Sequence, residues 1–530
     1  MKNIASEHWV TMRDGVKLYT TLQLPQAEGK FPVIIIRNPY FSGRADLSSL
    51  EEQDTRGYAI VSQHCRGTSC SEGVCQVYIN ERNDGLDLLY WIRQQPFYNG
   101  ELFLLGSSYS SSVHYSYLDS NPHDIKAAVL AVQDPERYNI LYRNGFYKSG
   151  LHGNWMLKMH RKNQLIERNF TENTFRTMPL AGVTKTVFNE YVPYIEEEFL
   201  HPDPADPFWQ TREGGNNYSN AASRCSIPIL FVTGFYDIYT DGIFSLWQNL
   251  PPQRKKECAL VVTPFDHAFN PLPEKITEEM QDFTDAVLRN MYPDWEYAWF
   301  DHHRLGTDFP LAEKGKTTYY RLWDHQWLRQ DELKNAPVEK VFYLTADRKL
   351  SETKQTDGEI TYISNPYDPA PFNGGVCNNF GGMKYQDPPN SRYDIISFLS
   401  EPLEKDMICE GRFEVALRCR STAPDSCFYV RLSFERNGKT LSLRDDIDSL
   451  CRVEKDYTPG TERVIRYTFA PHAFKLFAGD RLRLDVSSSC VPYFQVHTNF
   501  KGLQAEQSCA QSCRNTVVCT DSAVRLFISE

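Results

Sequence analysis

The apolar and polar positions of the first 135 residues alternate between two patterns. Short apolar runs bounded by turn residues recur at 32–36, 58–62, 102–105 and 127–132. Such runs mark parallel strands buried on both faces. The stretch 16–22 follows the Asp14-Gly15 turn and reads as a hairpin strand. Between the second and third runs, 82–95 sets Leu86, Leu89 and Tyr90 at helical spacing, and Pro96 and Gly100 close it. Strands alternating with helices predict an α/β fold, a mostly parallel sheet with helices on both faces.

The pattern breaks over 136–224. That stretch is polar and aromatic, has helical segments and no ladder of strands, and ends in loop-like tracts rich in Pro, Gly and Asn. It predicts a helical cap inserted into the core. Strands resume at 227–233 and 259–263, and a helix is expected over 274–290. From about 340 helical periodicity vanishes. Alternating strands at 413–419, 428–434 and 481–486 predict an all-β sandwich. The expected division is a core of 1–135 and 225–335, a cap of 136–224 and a β domain of 340–530.

Composition narrows the partners. The 530 residues carry 57 Lys and Arg against 68 Asp and Glu, a net charge of −11, with no strongly basic stretch. Nucleic acid and anionic membrane are therefore not expected as partners. No apolar run reaches the ~18 residues of a membrane-spanning helix. The opening stretch, Met1 to Trp9, lacks the apolar core of a secretory signal, so a cytoplasmic protein is expected. On that expectation most of the 14 cysteines are free thiols. Cys509, Cys513 and Cys519 lack a fourth ligand at zinc spacing and read as ordinary thiols rather than a metal site. Whether the chain forms a homo-oligomer is left open.

Three polar residues each follow an apolar strand. In Leu104-Leu105-Gly106-Ser107-Ser108-Tyr109, a buried strand meets a helix, the setting of a nucleophile elbow that lifts Ser108 above the sheet edge. Downstream, 229–234 runs into Phe235-Tyr236-Asp237, and 260–263 runs into Pro264-Phe265-Asp266-His267. Taken alone, Asp237 reads as a loop acid and His267 as a surface histidine. Together the three stand in the order Ser, Asp, His of α/β-hydrolases and converge on one sheet edge. The expected chemistry is that of a serine hydrolase with Ser108, Asp237 and His267 as catalytic triad, needing no cofactor and no metal.

The chain resembles the cocaine-esterase-like hydrolases (the CocE/NonD group), relatives of the X-Pro dipeptidyl peptidases and α-amino acid ester hydrolases. The resemblance spans nearly the whole chain. It rests on Met12-Arg13-Asp14-Gly15-Val16, Arg37-Asn38-Pro39-Tyr40, the tract from Arg66-Gly67 to Ser71-Glu72-Gly73, and Ser108-Tyr109 after Gly106. It continues through Gly234-Phe235-Tyr236-Asp237, Pro264-Phe265-Asp266-His267, Trp299-Phe300-Asp301 and Asp485-Val486-Ser487-Ser488-Ser489. It implies an α/β-hydrolase core, a helical cap after the sixth strand and a C-terminal jelly roll. It also implies an oxyanion hole formed by the Tyr40 hydroxyl and the Tyr109 backbone amide.

Two positions depart from the family. Ser111 stands where glycine is usual, which bears on the elbow's fine geometry. His64 replaces an Asp outside the triad, where a packing change is expected. The resemblance implies that His302 and His303 end a helix and point apart, so no metal pair is expected there. The expected substrate is a small ester or amide. Acyl esters are favoured, with X-Pro dipeptidyl peptidase or acylase activity as the alternative and a non-catalytic binding protein as the lesser one. Recognition of a substrate amine needs carboxylates beside the acyl pocket, because an unpaired ammonium is costly to bury. Asp237 is followed by Ile238-Tyr239-Thr240 before Asp241, and the cap entrance carries Arg143. These suit a neutral or anionic acyl group, with Asp241, Glu196 and Glu197 as the acids that would reverse the choice.

Overall fold

A computed structural model describes residues 3–41, 43–160, 177–211, 218, 220–269, 295–377 and 381–529. The first sheet begins with β1 (Ile4–Thr11), β2 (Lys17–Leu24), β3 (Phe31–Asn38), β4 (Ala59–His64), β5 (Tyr98–Ser107) and β6 (Ile125–Ala131). An insertion follows that carries the short hairpin β7 (Tyr142–Arg143) and β8 (Phe146–Tyr147). The sheet resumes with β9 (Ile229–Tyr236), β10 (Ala259–Asp266), β11 (Thr317–Arg321) and β12 (Gln326–Gln330). Its order is β1-β2-β4-β3-β5-β6-β9-β10-β11-β12. All pairings from β4 through β11 are parallel, and β1, β2 and β12 pair antiparallel at the edges.

The strands read as continuous apolar runs because both faces are covered. Successive side chains of a strand point to opposite faces. Helix α1 (Leu47–Glu52) follows β3, and Val33 and Ile35 pack with Leu88, Leu89 and Ile92 of helix α2 (Glu81–Arg93). Ile34, between them, packs with Trp299 and Phe300 of the helix Trp295–Leu305 on the other face. The strands run beyond the apolar runs, to Ser107, Tyr236 and Asp266. Each of these residues immediately precedes an expected catalytic residue.

The insertion between β6 and β9 holds short helices, among them Arg137–Leu141, Asn154–His160 and Ala221–Arg224. The polar and aromatic pattern gave no sign of the β7–β8 hairpin. The helix expected over 274–290 lies outside the described residues.

From Val338 onward the regular structure among the described residues is almost entirely strand. Thirteen strands among the described residues pair antiparallel, except that Lys349–Ser351 runs parallel to Ile396–Ser400. The three expected strands are Glu414–Ser421, Cys427–Arg436 and Arg481–Ser487. This all-β part packs directly on the strand that leads to Asp237. Phe235 stacks on His472 at 4.2 Å between ring centroids, and the Tyr236 hydroxyl donates to the Ser442 carbonyl at 2.9 Å.

Candidate active site

Ser108 lies alone between the end of β5 and the start of helix α3 (Tyr109–Tyr115), with φ 56° and ψ −132°. A non-glycine residue is strained there and is held by its surroundings. Its amide donates to the Ala131 carbonyl at 2.9 Å, anchoring the turn to β6. The turn is tight enough that a Cβ at Gly106 would collide with the backbone of Ser110 and Ser111. Ser111 fits without strain: it is fully buried and its hydroxyl donates to the same Ala131 carbonyl at 2.9 Å.

Asp237 and His267 follow β9 and β10, and His267 meets both Ser108 and Asp237. The His267 Nε2 is 2.9 Å from the Ser108 Oγ, and its Nδ1 is 2.8 Å from the Asp237 Oδ1. Asp237 is fully buried and receives further hydrogen bonds. The Thr233 hydroxyl donates to its Oδ2 at 2.7 Å, and the Tyr239 amide donates to its Oδ1 at 3.3 Å. Thr233 was not singled out in the sequence. Its signal was a hydroxyl inside an otherwise apolar strand, four residues before an acid.

Tyr40 reaches the same point from β3. Asn38 ends that strand, and its side-chain oxygen accepts from the Tyr40 amide at 2.7 Å, fixing the turn. Although 41% of Tyr40 is exposed, its hydroxyl is turned inward. Burial raises the phenol's pKa, opposed by hydrogen bonds to the Ser108 side chain, the Trp155 side chain and the Tyr109 backbone. Trp155 belongs to the insertion, and no spacing rule pointed to it. Tyr78, Tyr109 and Trp155 form an aromatic cluster, with Tyr109 4.8 Å from Tyr78 and 5.2 Å from Trp155. Tyr239 sits edge-on to His267 at 5.2 Å. Behind Tyr78, Arg137 lies 3.8 Å over the ring and pairs with buried Glu198. His152 Nε2, 3.2 Å from the Arg137 Nη1, must accept that proton, so the imidazole is neutral. Burial, then Arg137, holds its pKa well below the ordinary value.

Arg143 and Asp241 behave differently from expectation. Rather than facing an acyl group, Arg143 donates to Asp446 at 2.8 and 2.6 Å and to Asp241 at 2.6 Å. Asp241 also pairs with Arg444 of the β domain. The sequence could not show this, because the three partners lie in three different parts of the chain. A cavity of about 950 Å³ opens at this junction, lined in part by Tyr138, Arg143, Lys148 and Arg444, and its lining does not include Ser108 or His267. Glu196 is occupied by the Gly182 and Thr184 amides at 2.6 and 2.8 Å, and Glu197 lies 3.7 Å from His201.

His64 is buried between Phe41 and Tyr19, at 4.9 and 4.7 Å, and burial lowers its pKa to about 4. It therefore packs as a neutral aromatic behind the Tyr40 loop. His302 and His303 lie on the helix Trp295–Leu305 with rings 5.1 Å apart and perpendicular. No group of three or more metal-ligating side chains occurs among the described residues. Cys513 and Cys519 are buried and Cys509 is exposed, and none of the 14 cysteines forms a disulfide. No helix among the described residues is long and apolar enough to cross a membrane.

The chain is similar to known proteins over nearly its whole length. Residues 14–269 match the X-Pro dipeptidyl-peptidase (S15 family) model, and residues 311–521 match the X-Pro dipeptidyl-peptidase C-terminal non-catalytic domain. Cocaine esterase of Rhodococcus sp. (strain MB1 Bresler) is 24% identical, covering 96% of this chain and 95% of that protein. An aminopeptidase from a marine sediment Thaumarchaeota archaeon has the same fold, with TM-score 0.83 at 19% identity over 100% of this chain and 97% of that one. So does an α-amino acid ester hydrolase, with TM-score 0.79 at 20% identity and the same coverage. The chain thus carries matches to both S15 X-Pro dipeptidyl-peptidase domains, is similar to cocaine esterase over nearly its full length, and is a serine hydrolase.

Proposed function

We propose that the chain hydrolyses acyl esters through an acyl-enzyme on Ser108. The observation that carries this is the continuous path from Ser108 Oγ to His267 Nε2 at 2.9 Å and from His267 Nδ1 to Asp237 Oδ1 at 2.8 Å. His267 takes the serine proton as Oγ attacks the acyl carbon, and then gives it to the leaving alcohol. Asp237, fixed by Thr233, holds the imidazole tautomer and stabilises the imidazolium. The Tyr40 hydroxyl and the Tyr109 amide stabilise the tetrahedral oxyanion, a contribution of roughly 2.7–4 kcal/mol per donor. Water activated by the same histidine releases the acid. In this reading the first sheet is an α/β-hydrolase core and the last domain a jelly roll, divided as 1–135 with 225–335, 136–224 and 340–530. The protein works in the cytoplasm without a cofactor on small-molecule substrates.

Neutral acyl groups are favoured because the nearby acids already have partners: Asp241 with Arg143 and Arg444, Glu196 with two amides, Glu197 with His201. One observation favours a second reading, aminoacyl substrates. Buried Glu198 pairs with Arg137 through one oxygen, and its Oε2 meets no hydrogen-bond donor among the described residues.

The test is covalent labelling with a fluorophosphonate. Ser108→Ala abolishes labelling and turnover, while Ser107→Ala keeps both. Wild-type labelling of Ser108→Ala refutes the assignment.

A further inference from the structure

We propose that Glu81 is a positioning residue that sets the distance between the two donors of the oxyanion hole. This rests on the roles assigned above to Tyr40 and Tyr109. The two donors come from different elements. Tyr40 follows β3 by two residues, and Tyr109 is the first residue of α3. No direct covalent geometry fixes their separation.

Glu81 touches both supports. Its Oε1 accepts from the Tyr109 hydroxyl at 2.8 Å, and its Oε2 lies 2.9 Å from the Arg37 Nη1. Arg37 is the penultimate residue of β3, three residues before Tyr40, and it also donates to the Glu81 carbonyl at 3.0 Å and to Gln63 of β4 at 3.0 Å. The Tyr109 hydroxyl in turn accepts from the Tyr78 amide at 2.8 Å. Glu81, Arg37 and Tyr109 are all buried, at 4%, 0% and 2% exposure.

Neutralising Arg37 does not by itself explain this arrangement. Asp84, also fully buried and hydrogen-bonded to Arg66 at 3.0 and 2.6 Å, adds a second carboxylate 3.9 Å from the Arg37 Nη2. Glu81 instead gives one oxygen to Arg37 and the other to the phenol of the elbow's first helical residue. It is also the first residue of the 13-residue α2, where the helix favours a negative charge. The Tyr109 hydroxyl therefore ties α3 to Glu81 while the backbone amide of the same residue meets the Tyr40 hydroxyl. Oxyanion donors must meet the transition-state oxygen within narrow limits, so a small displacement of α3 acts on rate rather than on substrate binding.

The experiment compares Tyr109→Phe, Glu81→Ala and Glu81→Gln with wild type and with Tyr40→Phe, using a p-nitrophenyl ester. Rates are expressed per active site titrated with fluorophosphonate. Affinity for phenylboronic acid, which forms an anionic tetrahedral adduct with the serine, is measured beside them. Tyr109→Phe keeps the backbone amide and loses the phenol's two bonds, the one it donates to Glu81 and the one it accepts from the Tyr78 amide. It lowers kcat about tenfold with KM within about twofold, and weakens boronate binding in proportion. Glu81→Ala behaves likewise, and Glu81→Gln, which still accepts from the Tyr109 hydroxyl, recovers part of the rate. If Glu81→Ala fails to fold, Tyr109→Phe decides. Wild-type kcat per titrated site and unchanged boronate affinity in Tyr109→Phe overturn the proposal, even with a lowered melting temperature. Wild-type values in Tyr40→Phe remove the oxyanion roles themselves, and this proposal with them.

Discussion

Asp241→Asn removes one charge from the point where core, insertion and β domain meet. Arg444 is 2% exposed, and once the carboxylate charge is gone it keeps two neutral acceptors among the described residues, the Phe235 carbonyl at 3.1 Å and the asparagine oxygen. Its Nε has no hydrogen-bond partner among the described residues. Arg143 is less affected, because Asp446 still holds it through two hydrogen bonds. Breaking a fully buried ion pair by removing one partner costs ~3–5 kcal/mol. Here Asp241 is 29% exposed and the asparagine oxygen still accepts from Arg444, so a loss of about 2–3 kcal/mol is expected.

The pH dependence has a definite sign. Burial alone would raise the Asp241 pKa, but Arg444 and then Arg143 outweigh it and hold it below the usual carboxylate range. A depressed folded pKa gives stability that is present above the unfolded value, about 3.9, and is lost as pH falls through the folded one. Guanidinium denaturation of both proteins at pH 7, 5 and 3 measures this. The gap between wild type and variant holds from pH 7 to 5 and narrows by about 1 kcal/mol at pH 3. A gap under about 0.5 kcal/mol at pH 7, or one that widens in acid, refutes the reasoning.

Other outcomes follow from the same geometry. Thr233→Val deprives the Asp237 Oδ2 of its donor, so kcat falls about tenfold at unchanged KM, and stability drops by about 1–3 kcal/mol; an unchanged kcat takes Thr233 out of the mechanism. Gly106→Ala drives a methyl into the backbone of Ser110 and Ser111, and thermal unfolding should register a loss of about 1–3 kcal/mol together with lost activity; a fully active, equally stable variant contradicts the elbow packing. Short-chain and aromatic acyl esters are cleaved well and a glycyl-prolyl anilide poorly, and acetylating the amine of an amino acid ester does not abolish its hydrolysis. A kcat/KM for the anilide above that of every neutral ester tested reverses the substrate choice toward Glu198 as an amine site.

Some of this was settled by the order of residues alone. Parallel strands buried on both faces must be apolar throughout, so 32–36, 102–105 and 127–132 announced the sheet. A residue just past such a strand stands at the sheet's carboxyl edge whatever surrounds it, which is why Ser108, Asp237 and His267 were legible as a group. Tyr40 and Tyr109 became legible only through family resemblance, since nothing in their spacing names a hydroxyl or an amide as an oxyanion donor. The tertiary structure decided what depends on partners distant in the chain. A charge read locally looks solvated or available, and only packing reveals that Arg143 is committed to Asp241 and Asp446, that Glu81 joins Arg37 to Tyr109, and that Trp155 comes over from the insertion to the Tyr40 hydroxyl. Strand and helix periods follow from near neighbours and are written into short stretches of sequence. Charge pairing and hydroxyl satisfaction follow from which surfaces meet, and that is fixed only when the three parts of the chain close on one another.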